Sequence, residues 1–297
     1  MLENSKPIVL ALGFFDSVHK GHQKVINKAF EIAREQGAEV SVFTFDGNLK
    51  KAVGNADEKC VFTSKERLEI LKELGVKNVF FAPVDKAFLS MDKKEFLDFL
   101  NDKYNVVCYV SGKDYRFGKG GEGSVEYLLE YANSHNQNAY TVDTYTYNGK
   151  KISSTLIKEY IKQGDIERVN ELLGREYSIT GEVVKDRGVG SSMGFPTANI
   201  IIDEDRLVPK FAVYHGSVFI YGKEYGAIIN LGSRPTFGLN NTVLEANLID
   251  FNGDLYGEKI TVKFKGFIRE IQKFESVTDL KDQLVKDRKY LIERSSK

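Results

Sequence analysis

The sequence predicts an α/β half built on a parallel sheet, followed by a β half that closes into a small antiparallel barrel with a terminal helix. Three observations carry this reading. The chain has 297 residues, and domains usually run to about 100–200, so two is the natural division. Short apolar runs alternate with helical patterns through the first half, as in strands joined by helices. After Tyr177 the texture turns β-rich, with strand candidates at short spacing and one last helical pattern. The boundary is expected near residue 176, dividing the chain into domains 1–176 and 177–297.

The elements follow in order. Ile8–Phe15 (IVLALGFF) is a continuous apolar run, as expected of a strand buried on both faces. Gln23–Gln36 carries Val25, Ile26, Ala29, Ile32 and Ala33 at helical spacing, and Gly37 follows as a stop. Val40–Phe45 is a second strand. Thr63 with Glu66 forms a capping-box pattern before RLEILKEL, which ends at Gly75. Val79–Ala82 and Val106–Val110 are further strands, with a helix over Asp92–Lys103 between them. From Ser154, STLIKEYIKQGDIERVNELLG reads as two helical pieces broken near Gly164 and ending at Gly174. In the second half the strands are Ser178–Val184, Val213–Ile220, Tyr225–Asn230, Val243–Phe251 and Ile260–Phe267, with Asn252-Gly253 as a hairpin turn signal. Ser276 with Asp279 caps a last helix that places Leu280, Leu284 and Leu291 on one side.

Composition narrows the class. Apolar residues make up 42%, enough for a core in each half. No stretch approaches the roughly twenty apolar residues of a membrane span, and Met1 to Pro7 lacks the apolar segment of a signal peptide. The two cysteines, Cys60 and Cys108, form no CxxC pair, so the expectation is a reduced, cytoplasmic chain without a zinc site. Lys plus Arg equals Asp plus Glu at 42 each, which gives no field to attract nucleic acid. No nucleic-acid or membrane partner is therefore expected, and no feature specifies an oligomeric state.

Chemistry concentrates in five places. Phe15-Asp16-Ser17-Val18-His19-Lys20-Gly21-His22 follows the first strand and precedes the first helix, so His19 and His22 would meet an anion where a helix N-terminus already attracts phosphate. The bland alternative is a helix start with two incidental histidines. Ile152-Ser153-Ser154-Thr155, surrounded by Lys150, Lys151 and Lys158, is a second helix start whose hydroxyls either cap it or bind phosphate. Ser111–Gly118 (SGKDYRFG) is a glycine-flanked turn with an acid and aromatics that can hold a nucleoside or a planar ring, or simply end a strand. In the second half, Gly194-Phe195-Pro196-Thr197-Ala198-Asn199 follows a glycine-rich run suited to wrapping phosphates. On an extended segment Thr197 and Asn199 face one way, and two neutral oxygens suit Mg²⁺ carrying ATP phosphates. Downstream, Glu245 interrupts a mostly apolar strand. That placement is either a solvent-facing position or a general base.

Together the histidine motif and the distant Ile-Ser-Ser-Thr motif resemble the HxGH nucleotidylyltransferase superfamily, which implies a Rossmann-like first domain. With FTSKER, SGKDYRFG and KISSTLIK added, the first half looks like the adenylyltransferase half of bacterial bifunctional riboflavin kinase/FAD synthetases. GFPTAN, INLGSRPTFG, the Glu245 strand, DLYG and the IREIQKF tail resemble the riboflavin kinase half in the same order, and the resemblance covers nearly the whole chain. It implies two ATP-dependent reactions, riboflavin to FMN and FMN to FAD with pyrophosphate release. Flavins would be substrate and product, with Mg²⁺ accompanying ATP. His19 and His22 would stabilise the departing pyrophosphate, and Gly13, Phe14, Asp16, Gly21, Lys151, Ser154 and Thr155 would surround the nucleotide. Asp114, Phe117 and Arg234 would contact flavin, Gly190 and Gly194 the kinase nucleotide, and Thr197 and Asn199 the metal. Glu245 would activate the ribityl 5′-hydroxyl.

The sequence departs from the family in places. Asp46-Gly47-Asn48-Leu49 stands where Asp-Pro-His-Pro is usual, and Lys151 stands for an arginine, keeping charge but losing the bidentate fork. Ser191-Ser192-Met193 replaces Arg and Leu before Gly194, and Ala212-Val213-Tyr214-His215 replaces Gly-Val-Tyr-Ala. The altered loop motivates an alternative, a riboflavin kinase with a degenerate N-terminal binding or regulatory module.

Overall fold

The computed structural model describes residues 6–54, 58–185, 197–233 and 242–295. The chain divides into two units, Met1–Ser154 and Thr155–Lys297. The expected boundary near residue 176 falls later, between a helical pair and the first strand of the second sheet.

In the first unit, β1 (Ile8–Leu12), β2 (Glu39–Phe45), β3 (Asn78–Ala82), β4 (Val106–Gly112) and β5 (Asn138–Val142) form a five-stranded sheet in the order β3-β2-β1-β4-β5. All the pairings are parallel. β1 is the middle strand and every one of its residues is buried, which explains its unbroken apolar run. The crossover helices are α1 (Lys20–Gln36), α3 (Ser64–Glu73), α5 (Lys93–Lys103) and α6 (Val125–Ser134), with short turns α2 (Leu49–Ala52) and α4 (Lys86–Leu89). The predicted stops hold: Gly37 takes the left-handed conformation after α1, and Thr63 with Glu66 forms a complete capping box on α3. An aromatic cluster of Phe43, Phe88, Phe96 and Phe117 fills one side of the sheet. A small hairpin, β6 (Thr146–Tyr147) with β7 (Lys150–Lys151), turns through Asn148-Gly149, both at positive φ.

α7 (Ser154–Gln163) starts on the last residue of the first unit and runs on into the second, where α8 (Ile166–Leu173) follows. Six strands then close a barrel: β8 (Tyr177–Val184), β9 (Thr197–Ile200), β10 (Ala212–Ile220), β11 (Lys223–Ser233), β12 (Thr242–Leu248) and β13 (Lys259–Glu270). Their order is β10-β11-β12-β9-β8-β13, sealed by antiparallel pairing of β13 with β10. The Asn252-Gly253 signal does not turn a hairpin, because β12 pairs with β11 and β9 while β13 pairs with β8 and β10. The chain leaving β12 must instead cross the barrel end to reach β13. Tyr177, Tyr214, Phe264, Leu231, Leu244 and Ala246 fill the interior with no exposed surface, so the barrel is a packed core and not a ligand cavity. Gly216 sits where a Cβ would collide with the Lys263 carbonyl oxygen, which only glycine permits.

The last helix, α9 (Val277–Ser295), packs on the outer barrel face through Leu291 against Val213 and Ile228. Ser276 Oγ accepts from the Asp279 N–H at its start. Arg269 on β13 donates from Nε and Nη2 to the buried Asp287 carboxylate, at 3.1 and 2.8 Å. His215, on the outward side of β10, is buried edge-on to the Tyr290 ring at 5.8 Å. Burial, helped by the positive charges of Arg294 and Lys265, pushes its imidazole down to about 4.

Candidate active sites

The loop between β1 and α1 is the sharpest feature of the first unit. Phe15 and Val18 both adopt positive φ, at 50° and 44°. A β-branched residue there is strained, and such strain persists only where surrounding contacts over-determine it. The Gln23 side chain donates to the Val18 carbonyl at 2.9 Å, and Asp16 Oδ1 accepts from the Val61 N–H at 2.9 Å. Ser17 Oγ, fully buried, lies 3.0 Å from Ser154 Oγ at the start of α7.

The two histidines stack face to face, 3.6 Å apart and 8° from parallel. His19 caps α1, its Nδ1 accepting the His22 backbone N–H at 3.0 Å. With the Nδ1 lone pair used, a neutral His19 carries its proton on Nε2. Gly21 sits where a Cβ would lie 3.0 Å from the His19 ring, so the backbone can run close beneath it.

Around this pair opens a cleft of about 300 Å³. Of the residues singled out in the sequence, Gly13, Phe14, His19, Gly21, His22, Asp114, Lys151 and Ser154 all line it. Lys151 and Asp114 form an ion pair at its edge, and the Lys151 hydrogen bond holds the Asp114 carboxyl below the usual carboxylate range. Asp16 and Thr155 do not line the cleft: Asp16 is buried behind the loop, and Thr155 is exposed. Phe117 lines an adjoining apolar pocket of about 340 Å³ with Phe45, Leu49, Phe88, Phe96 and Arg116. Phe45, Leu49 and Arg116 are shared by both spaces.

The altered loop after β2 is held by the last residue of the FTSKER motif, to which the sequence assigned no role. Arg67 on α3 is 1% exposed and donates to the carbonyls of Phe14, Phe45 and Gly47 and to the hydroxyls of Thr44 and Ser64. One guanidinium thus ties the carboxyl ends of β1 and β2 together. Its charge is opposed by burial and supported by Asp16, Cys60 and Asp46. Asn48 adds a cap on α2, accepting from the Lys51 N–H at 3.3 Å.

In the second unit, register aligns a polar row across three strands. Asn230 on β11 pairs with Glu245 on β12, and Glu245 pairs with Asn199 on β9. Because Leu244, Ala246, Ala198 and Leu231 point into the core, these three residues point outward. Asn230 Nδ2 donates to Glu245 Oε2 at 3.2 Å. One step along, Thr197 pairs with Asn247. Asn199 is 7% exposed, and among the described residues its Oδ1 has no hydrogen-bond partner. Thr197 also lines a pocket of about 390 Å³ with Phe251, Asn252, Asp254 and Tyr256. Gly190, Gly194 and Arg234 lie outside the described residues. Asn230 and Asn247 were the residues missed here, although alternation with Leu244, Ala246 and Leu248 marks Asn247 as sharing the Glu245 face.

Comparison with known proteins gives a consistent result. Residues 1–156 match the FAD synthetase family model and residues 173–294 the riboflavin kinase family model. A bifunctional riboflavin kinase/FMN adenylyltransferase from Bacillus subtilis (strain 168) is 34% identical over 295 residues, 98% of this chain and 93% of that protein. Its counterpart from Escherichia coli (strain K12) is 31% identical over 282 residues, 94% of this chain and 90% of that one. A crystal structure described as a macrolide-efflux protein from Streptococcus pneumoniae superposes with a TM-score of 0.89 at 31% identity, covering 98% of this chain and 95% of that chain. Among the described residues of this chain, no helix is long and apolar enough to cross a membrane.

Proposed function

This chain belongs to the bifunctional riboflavin kinase/FMN adenylyltransferase family, and we propose from that premise how its two sites divide the work. It is a flavin-biosynthetic enzyme with two ATP-dependent activities. Along the chain, the functional domains divide between residues 154 and 177.

In the first unit, FMN phosphate attacks the α-phosphorus of ATP and pyrophosphate leaves, with no covalent intermediate on the protein. The observation that carries this reading is the convergence of His19, His22, Lys151 and Ser154 on one cleft. His19 Nε2–H, fixed as donor by the bond its Nδ1 accepts, faces charge that grows on the departing pyrophosphate. Lys151 adds positive potential at the edge of the cleft. The adjoining pocket of Phe45, Phe88, Phe96 and Phe117 is apolar and aromatic, which suits a flat isoalloxazine ring. Asp114 lines the histidine cleft, next to Arg116, which both spaces share. The alternative of a degenerate N-terminal module loses its motive, because Arg67 anchors the altered loop that the missing prolines would have stiffened.

In the second unit, Glu245 takes the proton from the ribityl 5′-hydroxyl as its oxygen attacks the γ-phosphorus of ATP, giving FMN and ADP. Asn230 orients the carboxylate. The Asn199 Oδ1, a buried acceptor unmet by hydrogen bonds, fits an oxygen ligand for Mg²⁺, with Thr197 beside it on the same face. Bound there, the ion would neutralise charge on the ATP phosphates. The pocket beside Thr197 would take the nucleotide. Two buried free cysteines and metabolic relatives support a cytoplasmic location.

The test follows products by chromatography, with riboflavin or FMN supplied separately alongside MgATP. FMN from riboflavin and FAD from FMN is the expected result. FMN left unconverted would remove the assignment of the first cleft, and riboflavin left unconverted that of the barrel.

A further inference from the structure

The hydroxyl of Ser17 takes no part in the mechanism above, yet it is placed with unusual care. It is fully buried in the strained loop that carries His19, and it reaches Ser154, the first residue of α7, across 137 positions of sequence. Fixing a loop with two positive-φ residues is costly. A buried polar tie between that loop and the opposite wall of the cleft therefore calls for a reason beyond filling space.

The bond has a direction once phosphate is present. A phosphate oxygen only accepts, so a Ser154 hydroxyl facing it must donate its single proton there. Ser154 Oγ must then receive, and the donor across 3.0 Å is Ser17 Oγ–H. The chain Ser17 O–H to Ser154 O–H to phosphate oxygen polarises in one sense, each bond strengthening the next. Without Ser17 the Ser154 hydroxyl rotates freely, and its lone pair, turned into the protein, loses its donor.

We propose that Ser17 is a positioning residue for adenylyl transfer, which aligns the Ser154 hydroxyl on the ATP phosphates and holds that hydroxyl in the cleft that carries the histidine pair. This rests on the assignment of the first cleft to FMN adenylylation. Losing one such bond corresponds to a fall of about five- to tenfold.

The experiment measures both reactions on the full chain for the parent, S17A, S154A and the double variant. S17A is expected to raise KM for MgATP about five- to tenfold in FAD formation, leave KM for FMN unchanged, and leave FMN formation at the parental rate. The double variant is expected to be no worse than S154A alone, since each change breaks the same relay. Equal kinetics of S17A and parent, additive losses in the double variant, or an equal rise in both KM values would overturn the proposal. If S17A fails to fold, S154A decides instead: an unchanged KM for MgATP in that variant overturns the relay from its other end. A parent that forms no FAD from FMN would instead sink the underlying assignment, and the two failures are distinguishable in one data set.

Discussion

Arg67→Lys tests whether a single guanidinium sets the geometry of the adenylyl-transfer cleft. Arg67 makes five hydrogen bonds from two nitrogens, to acceptors on the segment after β1, on β2, on the loop after β2 and on α3. A lysine ammonium has three donors on one point, so at least two of these bonds must go. Bonds from a charged donor contribute about 1.5–3 kcal/mol each. The Phe45 and Gly47 carbonyls are half-buried and exposed and can turn to water, so the lower figure applies. The expected loss is about 3 kcal/mol in the first unit. The charge is kept, so the effect isolates the fork. Function should suffer at the flavin end, because Phe45 and Leu49 line both pockets and Gly47 loses its anchor. A rise in KM for FMN of about tenfold is expected, equivalent to about 1.4 kcal/mol of loop ordering. The assay is urea denaturation of the full chain, with adenylylation and phosphorylation followed on the same samples as separate reporters. A midpoint for loss of adenylylation within error of the parent would refute the reasoning, as would a parallel loss of phosphorylation.

His22→Ala should depress FAD formation on the order of a hundredfold or more while sparing FMN formation, read from initial rates of each reaction. Glu245→Gln should do the reverse, lowering riboflavin phosphorylation by about 10²–10⁴-fold, because an amide cannot accept the hydroxyl proton. If either change in folded protein abolished both reactions, the division of labour would be wrong. His215 predicts a pH effect on the second unit. Its folded value, about 4, lies below the ordinary 6.5, so between them the unfolded chain binds the extra proton and stability falls as pH falls. The drop should reach about 2–3 kcal/mol by pH 4, measured by denaturation followed through kinase activity. His215→Phe should flatten that slope, and an unchanged slope would exclude His215 as its source.

Most of the architecture was legible because it rests on local pattern. The buried run of β1, the capping box of α3 and the glycine stop of α1 each write a physical constraint into a few adjacent residues. α6 and β5 went unread: β5 is an edge strand, partly exposed, so Asn138–Val142 shows no apolar run. The Asn252-Gly253 signal misled because turn chemistry specifies a bend and not which strands it joins, whereas Asn148-Gly149 made the tight hairpin unremarked. At the sites, the contiguous motifs were readable and their supports were not. Arg67 looks like an ordinary helix arginine until the ends of β1 and β2 arrive around it. Ser17 acquires meaning only when a residue 137 positions away comes within 3.0 Å.

The outward row of Asn230, Glu245 and Asn199 is stitched to an inward set of Leu231, Leu244 and Ala198 by the alternation of each strand. A one-residue slip of β12 would drive the Glu245 carboxylate into the core and expel Leu244 to water. A misaligned site would therefore be a misfolded barrel. The apolar core acts as a proofreader for the catalytic row: whatever selection keeps the barrel closed also keeps the three polar side chains level. Side chains on that outer face can then be exchanged in evolution one at a time, while the spacing between them stays fixed by residues that never meet the substrate.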